Sequence, residues 1–235
     1  MPKTKLISKV VAIDGPAGAG KSSVAKLVAK TLNLLYIDTG SMFRALAYVA
    51  HSRKIEFVEG PEMANFLSHL KMEYSSDPNY LIIVDGENLS VKIREHFVSE
   101  LASKISSIPS VRLFLLEFQR QLVNNNVALM EGRDIGTVVF PNAFCKIFLS
   151  ASSEVRAQRR VDELKNKGQK DVDFNLILQD IVDRDERDRT RDIAPLKQAE
   201  DAINVDSSTK TMDQVVNEIV LIVRSVAQMK DIKLP

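Results

Sequence analysis

Residues 15 to 22 read GPAGAGKS, a full match to G-x-x-x-x-G-K-[ST] that follows the apolar run Val10-Val11-Ala12-Ile13 and opens a helix-like stretch. The pattern describes a phosphate cradle. Its glycines let backbone N–H groups turn inward around phosphate oxygens, Lys21 reaches the β and γ phosphates, and the Ser22 hydroxyl can ligate Mg²⁺. Gly15, Pro16, Ala17, Gly18, Ala19, Gly20, Lys21 and Ser22 together form the first candidate site. A loop of this kind serves switches, motors and small-molecule kinases alike, so residues elsewhere must decide between them.

Three charged clusters bear on that choice. The first, Asp38-Thr39-Gly40-Ser41-Met42-Phe43-Arg44, falls at the C-terminal end of a second strand, where ligands of open α/β sheets bind. Arg44 is expected about one turn into the next helix, able to point back at an anion. The second, Glu131-Gly132-Arg133-Asp134-Ile135-Gly136, follows the run Val127 to Met130 on the same sheet edge. Its two glycines permit a tight loop that exposes Glu131, Arg133 and Asp134 together, with Glu131 placed to help organise Mg²⁺. The third runs from Arg184 to Asp192. On a helix, Arg184, Asp188 and Arg191 share one face, with Arg187 beside them. A solvated helix laced with ion pairs competes with a functional reading of this segment. Phosphoryl transfer between two anions favours the functional one, because arginines delivered from a lid neutralise charge and pair bidentately with phosphate.

These clusters need a scaffold of alternating strands and helices. Ser22 to Asn33 carries Val24, Leu27, Val28 and Leu32 at helical period, and Leu34 to Ile37 is a short buried strand, completing a βαβ unit. The same grammar returns at Val127 to Met130, Cys145 to Leu149 and Ala202 to Val205, giving an α/β fold with five parallel strands. Between Leu70 and Leu89 the texture changes. Turn residues at Asp77-Pro78-Asn79 and Asp85-Gly86 separate short apolar runs, as in antiparallel hairpins. A helix from about Arg94 to Ser107, a break at Pro109 and a further helix to Asn124 follow.

Composition sets the outer bounds. The chain has 235 residues, 45% of them apolar, enough for a real core. Its 32 basic and 31 acidic side chains nearly cancel, so nothing global suggests nucleic acid or an anionic membrane as a partner. Cys145 is the only cysteine and reads as a small buried hydrophobe; His51, His69 and His96 have no metal-ligand spacing. The segment from Met1 to Asp14 reads as a first strand and not a signal peptide, and no apolar run approaches the ~18 residues of a membrane span. The expectation is a soluble, cytoplasmic monomer.

The chain resembles the bacterial cytidylate kinases, members of the nucleoside monophosphate kinases, over almost its whole length. The resemblance rests on IDGPAGAGKSS, YIDTGSMFRALA, SKISSIPSVR, EGRDIGTVVFPNAFCKIFLSASSEVRAQRR and RDERDRTRDIAPLKQAEDAINVDSS. It implies a P-loop core at residues 1–66, 108–170 and 194–235, a monophosphate-binding insert with a small antiparallel sheet at 67–107, and a helical lid at 171–193.

It further implies that Gly15 to Ser23 hold ATP, with Lys21 as the main cation and Ser22 on Mg²⁺. Arg44 and Arg133 would hold the acceptor phosphate, with Asp38 and Thr39 near it; Thr39 stands where Ser is often found. Ser103, Arg112 and Asp134 match positions facing cytosine, whose amine donor and two acceptors suit a carboxylate, a guanidinium and a hydroxyl. Arg184, Asp188 and Arg191 match lid and ribose-contacting residues, and Arg159 is a candidate to stack on adenine. Glu131 stands where Asp is expected and is carried as a candidate for the metal.

The implied reaction is in-line transfer of the γ phosphoryl of ATP to CMP or dCMP in pyrimidine nucleotide metabolism. Lys21, Arg133, Arg184 and Arg191 would be the catalytic cations. A kinase of UMP, AMP or a sugar acid, or a non-catalytic nucleotide-binding module, are the alternatives. A GTPase switch is disfavoured, since none of the nine glycines has Asp three residues before it.

Overall fold

Aliphatic runs punctuated by phosphate-loop and turn residues build the main sheet. The computed structural model describes residues 7–75, 77–124, 126–169 and 171–235; residues 1–6, 125 and 170, within the expected core segments, and residue 76, within the expected insert, lie outside them. Strand β1 (Ser8–Asp14) is buried on both faces from Val10 onward, which is why its sequence is continuously apolar instead of alternating. It pairs in parallel with β6 (Ala128–Gly132) and with β7 (Ala143–Ser150), and β7 pairs in parallel with β8 (Ile203–Asp206). With β2 (Leu35–Asp38) at the edge, the five-stranded parallel sheet has the order β2-β6-β1-β7-β8. The order places the ends of β1 and β6 side by side, with Ile13 in register with Glu131 and Asp14 with Gly132. The phosphate loop and the Glu131 cluster therefore begin at neighbouring strand ends.

The chain divides into two compact units, Met1–Tyr36 with Asn125–Pro235, and Ile37–Asn124. In the first unit, α1 (Lys21–Thr31) and α8 (Met212–Met229) cover the sheet. Helix α1 buries Val24, Ala25, Val28 and Ala29, whereas Leu27, expected on the apolar face, is 40% exposed. Helix α8 begins with a reciprocal capping box between Thr211 and Gln214 and buries Val215, Val216, Ile219, Val220 and Val223. Helices α6 (Ser153–Asn166) and α7 (Phe174–Thr190) complete this unit.

The second unit holds α2 (Thr39–Ser52), α3 (Pro61–Ser68), α4 (His96–Ile105) and α5 (Pro109–Val123). Pro109 sits in the first turn of α5, where a missing N–H costs nothing. The hairpin signals yield a three-stranded antiparallel sheet of β3 (Met72–Tyr74), β4 (Ile82–Val84) and β5 (Glu87–Asn88).

Candidate active site

The phosphate loop turns sharply because glycine stands where no other residue fits. Gly15 has φ +150°, and a Cβ there would lie 2.0 Å from the Leu149 carbonyl oxygen of β7. Gly20, at φ 90°, is the left-handed residue that launches α1, leaving the first N–H groups of that helix facing the loop. Lys21 is 7% exposed and folds back over the loop to donate to the Pro16 carbonyl at 2.7 Å. Burial lowers its pKa well below the ordinary lysine value, assisted by Arg133 and Arg184 and opposed by Glu131 and Asp14. An ammonium in that position gains strongly from an anionic partner.

Around Lys21 the strand ends converge. Ser22 Oγ donates to Glu131 Oε2 at 3.0 Å, and the Tyr36 hydroxyl is bonded to Glu131 Oε1. Glu131 is buried and belongs to β6, as does Gly132, and Asp134 is also buried. The expected loop exposing Glu131, Arg133 and Asp134 together is thus corrected. The strand runs two residues further, its end packs beside β1, and only Arg133 of the three is half-buried. After Asp134 the backbone makes a single π turn over Ile135–Val139. Asp14 fixes the start of that turn, accepting from the backbone N–H of Ile135 at 2.8 Å and of Gly136 at 2.7 Å. Burial pushes the Asp14 carboxyl up to about 6 despite those two bonds.

Helix α7 supplies the opposing charges. Arg133 Nε donates to Asp188 Oδ2 at 3.0 Å, and Arg191 lies 3.9 Å from both Asp188 and Asp134. Burial alone would raise the Asp188 carboxyl, but the guanidiniums of Arg133, Arg184 and Arg191 outweigh it and hold it below the usual carboxylate range. The expectation that Arg184, Asp188 and Arg191 share one helical face fails at its last member. Helix α7 stops at Thr190, and Arg191 is extended at φ −62°, ψ 140°, with Nε donating to the Ala194 carbonyl at 2.7 Å. Arg187 is exposed on the helix and takes no place in the cluster.

Tyr36, Asp14 and Arg156, none of them a candidate from the sequence, brace this arrangement. Arg156 of α6 donates to the carbonyls of Ala151 and Ala17, each at 3.0 Å, and pairs with Asp185 of α7 at 2.7 Å. It splints the phosphate loop to α7. Of the stretch Arg156 to Arg160, the resemblance implied a role for Arg159 alone. Arg159 bonds Ser207, to the hydroxyl at 3.1 Å and to the carbonyl at 2.6 Å, and the Ser207 hydroxyl donates to Ala19 at 3.2 Å. Asp14 had a local signal, an acidic residue directly before the first loop glycine.

The second unit holds the remaining candidates. Asp38 caps α2 by accepting from Ser41 N at 3.0 Å, and Arg44 Nη2 donates to Asp38 Oδ2 at 3.0 Å, so Arg44 is held against its own carboxylate. Thr39 is buried in the first turn. Arg112 is 9% exposed, donates to the Ser106 carbonyl at 3.0 Å and lies 5.3 Å from the Phe43 ring centroid. The Ser103 hydroxyl oxygen is buried and has no hydrogen-bond partner among the described residues.

Among the described residues no group of three or more His, Cys, Asp or Glu is placed to hold a metal by itself, and no helix is long and apolar enough to cross a membrane. Cys145 is buried, and burial pushes its thiol up to about 12, which makes it inert.

Residues 11–225 match the cytidylate kinase family model. The cytidylate kinase of Clostridium tetani is 45% identical over 92% of this chain and 94% of its own length. The bifunctional pantoate ligase/cytidylate kinase of Prochlorococcus marinus is 42% identical over 93% of this chain and 45% of its own. An uncharacterized protein from Eubacterium ventriosum, solved by crystallography, aligns over 92% of this chain and 98% of its own at 15% identity and a TM-score of 0.50, a likeness of fold alone. A phosphate loop braced against an arginine and carboxylate cluster, in a sequence matched along nearly its whole length, assigns this chain to the cytidylate kinase family.

Proposed function

We propose that the protein transfers the γ phosphoryl of ATP to the 5′ phosphate of CMP and dCMP by in-line displacement, with Mg²⁺. The observation that carries the reading is the glycine-built phosphate loop with Lys21 folded over it, donating to the Pro16 carbonyl at 2.7 Å, beside a strand end whose Arg133 is held by Asp188 at 3.0 Å. A buried lysine on such a loop gains most from phosphate oxygens, and guanidiniums nearby pair with further ones.

The acceptor oxygen is already anionic, so the reaction needs no dedicated general base. Catalysis then rests on positioning, charge neutralisation and exclusion of water. Lys21 exchanges its Pro16 carbonyl for phosphate oxygens, and Arg133, Arg184 and Arg191 bind the acceptor phosphate and the phosphoryl in flight. Residues 171–193 act as the lid that excludes water. In the second unit, Arg44 holds the acceptor phosphate, with Asp38 and Thr39 near the acceptor; Asp188 belongs with Arg184 and Arg191 to the lid and ribose-contacting group. Ser103 and Arg112, with Asp134, read the base. Arg159 serves the adenine side through its place beside Ser207 and Ala19.

The donor set fits Mg²⁺. Ser22 and Glu131 present hard oxygen atoms at the start of α1, and a metal that keeps several waters and binds phosphate oxygens needs few protein ligands. When bound, the ion would supply positive charge to neutralise the phosphate chain of the donor. The reading also takes the protein to be a cytoplasmic monomer acting on small nucleotides.

An assay of ADP release across CMP, dCMP, UMP, AMP and dTMP, with and without chelator, tests it. Turnover with CMP and dCMP well above the others is expected. Failure with both cytosine nucleotides overturns the reading.

A further inference from the structure

Glu131 is longer by one methylene than the aspartate expected at its position, and β2 holds the residue that takes up the difference. Strands β2 and β6 are neighbours in the sheet, and Tyr36 of β2 bonds Glu131 Oε1 while Ser22 Oγ bonds Glu131 Oε2 at 3.0 Å. Each carboxylate oxygen therefore meets a hydroxyl from a different element. Tyr36 is itself fixed, its ring packed against the apolar core of the first unit and Lys26 Nζ 5.7 Å from its centroid.

We propose that Tyr36 is a positioning residue for the Mg²⁺ site, acting through Glu131 on Ser22; the inference rests on the metal reading given above. A serine hydroxyl that ligates a cation must place its proton elsewhere and turn a lone pair to the ion. Glu131 Oε2 accepts that proton. A glutamate has one more rotatable bond than an aspartate, so more of its rotamers carry Oε2 away from Ser22. The phenol holds Oε1 and leaves Oε2 aimed at the serine. Tyr36 and Glu131 form a matched pair: the phenol matters because the acid is long. Outer partners of this kind change metal affinity by roughly tenfold or more when removed.

The test compares wild type with Tyr36→Phe, Glu131→Asp, Glu131→Ala and the double variant Tyr36→Phe/Glu131→Asp. Two readouts are used: binding of Mn²⁺ in the presence of ADP, followed by electron paramagnetic resonance, and the Mg²⁺ dependence of CMP phosphorylation at fixed ATP. Removing one hydroxyl is expected to weaken Mn²⁺ binding, and to raise the Mg²⁺ needed for half-maximal rate, by roughly tenfold in Tyr36→Phe, while the rate at saturating Mg²⁺ stays within about twofold. In the Glu131→Asp background the same change is expected to have little effect, because the shorter acid no longer reaches the phenol.

Unchanged metal dependence in Tyr36→Phe, with Glu131→Ala impaired, overturns the role of Tyr36 and leaves the metal reading standing. Unchanged Mn²⁺ binding in Glu131→Ala overturns both. A fall in thermal stability and rate with no shift in metal dependence marks Tyr36 as structural only and also overturns the proposal. An equal effect of Tyr36→Phe in both backgrounds overturns the matched pair.

Discussion

The Arg133 guanidinium on the strand-end cluster donates through Nε to Asp188 Oδ2 of α7 at 3.0 Å. That bond makes Asp188 the counter-charge of the arginine group, since Arg184 and Arg191 also act on its carboxyl. Removing it leaves guanidiniums facing one another in a largely buried place. Asp188→Ala is expected to destabilise the protein by about 3 kcal/mol, the cost of stripping one partner from a buried ion pair, with some relief because Arg133 is partly exposed. The variant should regain more of its melting temperature than wild type does when phosphate is added, because an anion replaces the lost carboxylate. Thermal melts with and without phosphate check this, and an equal response of the two proteins would refute it.

Arg184 and Arg191 are assigned to the phosphoryl in flight. Arg184→Ala and Arg191→Ala should each lower kcat by about a thousandfold, the scale of an arginine that stabilises transferring phosphate. Lysine is not expected to rescue either position, because an ammonium lacks the planar fork that pairs two oxygens. Steady-state kinetics at saturating ATP and CMP decide it. Near-normal kcat in either alanine variant would remove that arginine from the catalytic group.

Asp134 is buried at the start of the π turn, and its assignment is to the base. Asp134→Ala should lower the ratio of kcat/KM for CMP over UMP by at least about tenfold, since a lost hydrogen bond to the substrate erodes discrimination more than it erodes chemistry. Equal loss with both nucleotides would count against base reading and favour a structural role beside Arg191.

What could be read from the chain alone followed the range of the physics. Lys21 and the loop glycines were legible because the cradle is local, made by consecutive residues whose backbone conformations the sequence dictates. The strands were legible from their unbroken apolar runs, though β1, β6 and β7 each extend a residue or more beyond those runs, since pairing continues past the apolar residues. Arg191 was misplaced because helical spacing says nothing about where a helix stops, and α7 stops one residue earlier. Tyr36 and Arg156 escaped for a different reason, and so did the pairing of Asp14, whose position before the loop glycine was visible although its partner was not. Their partners lie on neighbouring strands or helices, Tyr36 and Glu131 being 95 residues apart and Asp14 and Gly136 122 apart, and no local pattern encodes a pairing across the sheet.

Asp14 gives a prediction with a definite sign in pH. Its folded pKa is raised from 3.8 to about 6, so between those values the native protein holds a proton that the unfolded chain has released. Stability from this group is fully present below about 3.8 and is lost as pH rises through about 6. The magnitude is about 3 kcal/mol, from a shift of about two units at 1.36 kcal/mol each. Asparagine at position 14 does not titrate. In unfolding free energies measured by denaturant from pH 4 to 8, the wild-type minus Asp14→Asn difference should therefore fall as pH rises through about 6. The functional side runs the other way. Ionised Asp14 accepts from both Ile135 N and Gly136 N through charged oxygens, whereas a protonated carboxyl turns one oxygen into a hydroxyl, a weaker acceptor, and loosens one of those bonds. The turn carrying Arg133 and Asp134 is then held most firmly above pH 6, where the carboxylate costs the fold most. A wild-type minus variant stability difference that stays flat from pH 4 to 8 would show that Asp14 titrates at an ordinary pKa and does not carry this trade.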